Sequence, residues 1–248
     1  MHRIIVNADD FGVNQAVNRE IERMIVEGAI SSTTIMANGA CLEEACSFAK
    51  THPTVSYGVH LCLSEFDSIT KSPILQKYGV TDKNGRFIRM AIFHLSKFPA
   101  ELLCAIKEEL LAQIRMIESY YLPLSHCDSH HHVHTIWGLQ NVFDEVLREE
   151  GFTKIRIAWH ESTYNKLRHP IRSIKRELII RFYKKRFKTT DAFYSYADYM
   201  GVAIKDPHRE VELMCHPGHP KYTTEYESVQ HKKALAGGGI SLITYNDL

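Results

Sequence analysis

The sequence predicts an α/β fold in which a mostly parallel sheet curls into a barrel, and three observations lead there. Short apolar runs alternate repeatedly with segments of helical period, the pattern of βα units. At 248 residues the chain has the length of one α/β barrel. No shift of composition divides it, so residues 1–248 read as a single domain.

Arg3 to Asn7 is apolar enough for a buried strand. Val17, Ile21, Met24 and Ile25 then recur at helical spacing, with Asn14 as N-cap and Gly28 as stop. Thr33 to Met36 is β-branched and strand-like, Leu42 to Ala49 is helical, and Val55 to Leu63 is a third strand containing His60. Ser64 to Pro99, punctuated by Pro and Gly, lacks periodicity and reads as a long insertion. A strong helix follows from Ala100 to Glu118, then a short strand from Leu124 to Cys127. Beyond it come helix Leu139 to Glu149, strand Lys154 to Ala158, helix Ile171 to Phe187 and a strand around Ala192 and Phe193. Strand Val211 to Cys215, helix Tyr226 to Ala236 and strand Ile240 to Ile243 complete the series.

Composition narrows the function classes. Thirty Lys and Arg stand against 29 Asp and Glu, with 44% hydrophobic and 24% charged residues, the balance of a globular protein rather than a disordered one. No apolar run approaches the ~20 residues needed to span a bilayer. Asn7, Ala8, Asp9 and Asp10 interrupt the only early apolar run, so no signal peptide is read and a cytoplasmic location is expected. The six cysteines have no CxxC spacing and read as reduced, partly buried thiols. Between Lys166 and Lys188 ten Lys and Arg face only Glu177. That run is a solvated helix face or a patch for nucleic acid or anionic lipid; without a known binding motif the first reading is preferred, and neither nucleic acid nor membrane is expected as a partner.

Chemistry-bearing groups gather at the C-terminal ends of predicted strands, the edge where parallel α/β folds place their sites. They are Asp9-Asp10, His60, the run Asp128-Ser129-His130-His131-His132-Val133-His134, and His216 in Cys215-His216-Pro217-Gly218. Adjacent acids repel, so a fold keeps them where a cation or a proton separates their roles; the bland alternative is an Asp capping the Phe11-Gly12 corner. His60 alone is weak evidence, since a histidine in an apolar strand is more often a satisfied core residue. On an extended chain His130 and His132 share a face, and Asp128 is a candidate to orient an imidazole. One Asp and two His would make a three-ligand site with open positions, able to lower the pKa of bound water to about 7. A second Asp as base and a rim His as acid complete the equipment for hydrolysis. The absence of GxSxG, GxGxxG, P-loop and HExxH motifs weighs against serine hydrolase, dinucleotide, NTPase and zincin readings.

With these residues in view the sequence resembles the YdjC-like carbohydrate deacetylases, a family that includes a chitooligosaccharide deacetylase. The matching segments are Val6 to Gly12, Ser32-Thr33-Thr34 with Asn38-Gly39, Gly58-Val59-His60, Asp128 to His134, and Met214 to Pro217. The resemblance implies a distorted (β/α) barrel of the NodB-like deacetylase type and removal of N-acetyl groups from amino sugars of small acetylated saccharides. It further implies one divalent ion held by Asp10, His60 and His130, with Asp9 as general base and His216 as general acid. Arg156 matches the family's arginine and is expected to bind substrate or orient nearby groups. Two departures bear on the substrate: Ala158-Trp159-His160 stands where the family has Pro-Arg-Glu, and residues 64–99 and 164–190 match poorly although both are expected to border the sugar cleft. Mg is often named for the family, whereas two imidazoles favour Zn, Co or Ni. The family also makes a homodimer plausible. Rival readings are another metal-dependent hydrolase such as a phosphoesterase, a 2-His-1-carboxylate iron oxygenase, and a non-catalytic module binding saccharide or metal.

Overall fold

A computed structural model describes residues 2–157, 169–195, 210–220 and 240–248. The apolar run Ile4-Ile5-Val6 becomes the centre of β1 (His2–Phe11), which pairs along most of its length. One edge of β1 meets β6 (Glu210–Cys215) over Arg3 to Ala8. The other meets β7 (Ile240–Leu242) over its first residues and β2 (Ser32–Ile35) over its last. With β3 (Ser56–Leu61), β4 (Leu124–Ser129) and β5 (Ala192–Ser195) the order is β4-β3-β2-β1-β6-β5, every pairing parallel. Burial on both faces explains why β2 and β3 are covered at every position.

Past β4, parallel bridges join Cys127 to Ile155 and Lys154 to Lys188, just ahead of β5. The strand expected from Lys154 to Ala158 is thus present only as these bridges, and its last residue lies outside the described residues, as does the expected helix Tyr226 to Ala236.

Helices cover the sheet through apolar stripes. In α1 (Gln15–Val26), Asn14 caps by accepting the Val17 N–H at 3.0 Å, and Val17, Ile21, Met24 and Ile25 face inward. α2 (Leu42–Thr51), α4 (Ala100–Glu118) and α5 (Gln140–Glu149) bury similar stripes, and the short α3 (Pro73–Lys77) packs Leu75. α6 (Pro170–Lys184) buries Ile179, Ile180 and Tyr183 and leaves Arg172, Lys175, Arg181 and Lys184 exposed, as are the apolar Ile171, Ile174 and Leu178.

Two close approaches fix the frame of the site. A Cβ on Gly39 would lie 2.2 Å from the Gly12 carbonyl oxygen, so the loop after β2 presses on the turn after β1. Asn18 locks that turn by accepting the Gly12 N–H at 2.7 Å and donating to the Cys41 carbonyl at 3.1 Å. Gly58 leaves room for the His126 ring, which stacks on Tyr245 at 3.6 Å between centroids and seats the C-terminal residues beneath the sheet.

Residues 64–99 hold more order than the aperiodic sequence suggests. Asp67 pairs with Arg86 and Thr81 with Phe87 in antiparallel bridges, and a 3-10 turn covers Ala91–His94. Buried Glu109 of α4 accepts the N–H groups of Ile69 and Thr70 at 2.9 Å and the Thr70 hydroxyl at 2.6 Å. The order comes from a side chain distant in sequence, which no local period records.

Candidate active site

β1 runs on through Asp9 and Asp10 instead of ending before them. Consecutive side chains of a regular strand point to opposite faces. Here the pairing with β2 shifts register between Ala8 and Phe11, and Asp10 sits at φ 71° in the left-handed region that Asp tolerates better than most residues. The bulge turns both carboxylates toward one cleft of about 770 Å³, which His60, His130, His132 and His216 also line.

The histidine run departs from the strand-like alternation expected of it. β4 extends to Ser129, and His130–Thr135 forms a tight 3-10 turn with His131 and His132 at φ 52° and 56°. His130 therefore points at Asp10, with Nδ1 2.9 Å from Oδ1. His132 instead lies edge-on to Phe193, 5.5 Å between centroids, and joins none of the metal-capable clusters among the described residues. The shared face expected for His130 and His132 is absent because the chain stops being extended at His130.

From β3, His60 brings Nε2 to 3.1 Å from the same Asp10 oxygen. Its Nδ1 donates to Asp128 Oδ1 at 2.6 Å, which fixes the tautomer that leaves Nε2 free of hydrogen for the cleft when the ring is neutral. Asp128 thus stands where the sequence suggested an orienting partner. Thr34 supports it, donating to Asp128 Oδ2 at 3.1 Å and accepting from Asn7 Nδ2 at 3.2 Å.

Beneath Asp9 lies Arg156, fully buried and absent from the cleft walls. It donates to both Asp9 oxygens at 2.7 Å, to Glu212 Oε1 at 2.7 Å, and pairs with Asp128 Oδ2 at 2.6 Å. Of the two roles expected for Arg156, orientation of neighbouring groups has the supporting geometry. Glu212 in turn accepts the Tyr245 hydroxyl at 2.5 Å. Sequence reasoning passed over Glu212 and Tyr245, although a lone acid in the apolar strand Val211-Glu212-Leu213-Met214 implies a buried cation. It also passed over Glu65, whose aperiodic surroundings carry no comparable signal.

These contacts decide the protonation states. Burial opposes ionisation of Asp9, but the Arg156 guanidinium outweighs it and holds the carboxyl well below the usual range. Asp10 is likewise buried and is held low by His130 and His60. Burial would lower both imidazoles, yet Asp128 and Asp10 raise His60 well above its ordinary value, and Asp10 lifts His130 to about 10. Burial lowers His216 and pushes Glu212 up to about 7, against the pull of Arg156.

Among the described residues, three groups of side chains bring ligand atoms within 4.8 Å of one another: Asp10 with His60 and His130, Glu65 with His130 and His131, and Asp9 with His60 and Asp128. The last already encloses the Arg156 guanidinium, which supplies its cation. The first contains no permanent cation, opens to the cleft, and offers two imidazoles and one carboxylate whose far nitrogens rest on Asp128 and Glu65. That donor set fits a divalent ion of the zinc, cobalt or nickel type.

Known proteins resemble this chain in sequence and in fold. A carbohydrate deacetylase of Brevibacillus brevis is 38% identical over 165 residues, spanning 66% of this chain and 62% of its own length. One from Geobacillus stearothermophilus is 31% identical over 226 residues, covering 87% of this chain and 79% of that protein. Among solved structures, an Enterococcus faecalis V583 protein, for which cellobiose-phosphate cleavage has been suggested, superposes with a TM-score of 0.77 at 24% identity, over 99% of this chain and 98% of that one. A Streptococcus mutans CE4 esterase reaches 0.52 at 11% identity, over 97% and 84%. At such identities the structures speak for the fold alone, a parallel α/β sheet. The profile of YdjC-like proteins matches residues 3–241, and the chain belongs to that family.

Proposed function

We propose that this chain is a metal-dependent hydrolase that removes N-acetyl groups from amino sugars in small acetylated saccharides of the chitooligosaccharide type. The observation that carries the reading is the convergence of Asp10, His60 and His130, from three strand ends, beside Asp9 and His216 in one cleft. The names of the curated relatives favour a saccharide substrate over phosphate esters. Residues 1–248 are taken as one working unit.

A divalent ion held by Asp10, His60 and His130 would polarise an acetamide carbonyl and lower the pKa of a bound water. The protein's own groups handle the protons. Asp9 stays ionised because Arg156 neutralises it, and its edge toward the cleft can accept a proton from the attacking water. A guanidinium gripping both oxygens also fixes the plane of the carboxylate, so the base needs no reorientation during the reaction. His216 faces the same cleft, and its lowered pKa makes the charged ring a ready donor to the departing amine.

The test is Asp9→Asn. Acetate release from N-acetylated mono- and disaccharides should fall by about 10²–10⁴-fold, the usual contribution of a positioned base. Metal content, read separately, should be unchanged, since Asp9 is not in the proposed ligand set. Full turnover by the variant removes Asp9 as base, and turnover by chelated wild type removes the ion.

A further inference from the structure

We propose that Glu65 is a positioning residue for the ligand His130, and that through it the wall built by residues 64–99 sets how tightly the ion is held. The inference rests on the metal site of the proposed function and extends it to a residue outside the ligand set.

His130 turns Nδ1 toward Asp10, so Nε2 faces away, and there it meets Glu65 Oε2 at 3.1 Å. A ligating imidazole holds its tautomer and ring plane through an acceptor on its other nitrogen. His60 has that acceptor in Asp128 at 2.6 Å; Glu65 is the corresponding group for His130. The two imidazoles use opposite nitrogens, and each is backed by a carboxylate.

Glu65 is not a surface acid that happens to reach a histidine. Gln113 accepts the Cys62 N–H at 2.8 Å and donates to the Cys62 carbonyl at 2.7 Å, and Glu109 clamps Ile69 and Thr70 on the far side. The Cys62 thiol lies 3.2 Å from the Glu65 carbonyl oxygen, holding the backbone between the two clamps. Phe66 takes φ 65°, which sends its ring against His130 at 6.0 Å between centroids while Glu65 turns to Nε2. Arg89 Nε sits 3.5 Å from the second oxygen, Oε1, leaving Oε2 for the imidazole.

Glu65 could instead ligate an ion directly with His130 and His131, whose ligand atoms lie within 4.8 Å. A glutamine separates the two roles. Its carbonyl oxygen still accepts from Nε2–H, but it lacks the charge and basicity of a carboxylate ligand.

The experiment titrates the full chain with Zn²⁺ against a competing chelator, without saccharide, for wild type, Glu65→Ala, Glu65→Gln and His60→Ala. Circular dichroism of the metal-free proteins checks that each is folded. The expected result is one ion per chain in wild type, affinity about 10–100-fold weaker in Glu65→Ala, and Glu65→Gln within about threefold of wild type. Wild-type affinity in Glu65→Ala overturns the proposal while leaving the metal site standing. Equal losses in Glu65→Gln and Glu65→Ala overturn it by making Glu65 a ligand. Absence of zinc binding in wild type, or undiminished binding in His60→Ala, removes the metal site itself and this inference with it.

Discussion

Two buried acid clusters meet at the end of β1, and they balance their charge by different means. Asp9, Asp128 and Glu212 surround Arg156, a cation that keeps its charge at every accessible pH. Beside Asp10 the positive partners are His60 and His130, whose protons can leave. Behind Asp9 the first cluster is sealed, with Arg156 and Glu212 inaccessible to solvent and Phe193 covering the guanidinium at 4.7 Å. The second opens into the cleft. Adjacent residues of one strand thus serve opposite ends: a permanent internal cation makes a rigid mount, whereas titratable partners leave a place that an external cation can take.

Arg156→Met tests the mount and should have the largest effect. Leaving Asp9, Asp128 and Glu212 buried without their cation should cost about 3–5 kcal/mol of stability in urea unfolding. A variant that unfolds at the wild-type midpoint would show that the carboxylates do not depend on Arg156. Tyr245→Phe probes the same cluster more gently, removing the hydroxyl that donates to Glu212 Oε2. A loss of about 2 kcal/mol is expected in the same assay, since a buried acceptor is left unfilled.

The Asp10 cluster should answer to pH instead. With His130 lifted to about 10, its ring is protonated at neutral pH in the metal-free protein, and an ion must displace that proton. Affinity should therefore rise with pH, by roughly tenfold per unit for each proton released, over the window below that value. Zinc titrations at pH 6, 7 and 8 (roughly spanning the accessible part of it) check the slope. A flat profile would mean that the imidazoles do not exchange protons for the ion, and the contrast between the clusters would collapse.

Much of this was legible along the chain. Val17, Ile21, Met24 and Ile25 mark the buried side of α1, and Asn14 caps it as its chemistry suggests. The alternation of strands and helices indicated a parallel sheet with chemistry at one edge. Asp10, His60 and His130 do come together there. Less legible was how they arrive. A strand argument put His130 and His132 on one face, but the backbone enters the left-handed region at His131 and the faces diverge. The 64–99 segment reads as an aperiodic insertion because its order depends on Glu109, a residue of the helix that follows it.

By itself, the sequence determined which groups are available and on which edge they gather, because hydrophobic period and the succession of strands and helices are local properties repeated down the chain. Only the tertiary structure decided their partners. It placed Arg156 under Asp9, Asp128 behind His60 and Glu65 behind His130. Those pairings join residues 65 to 147 positions apart, and the charge each carboxylate keeps is set by which cation shares its low-dielectric surroundings, a fact of distance and not of spacing.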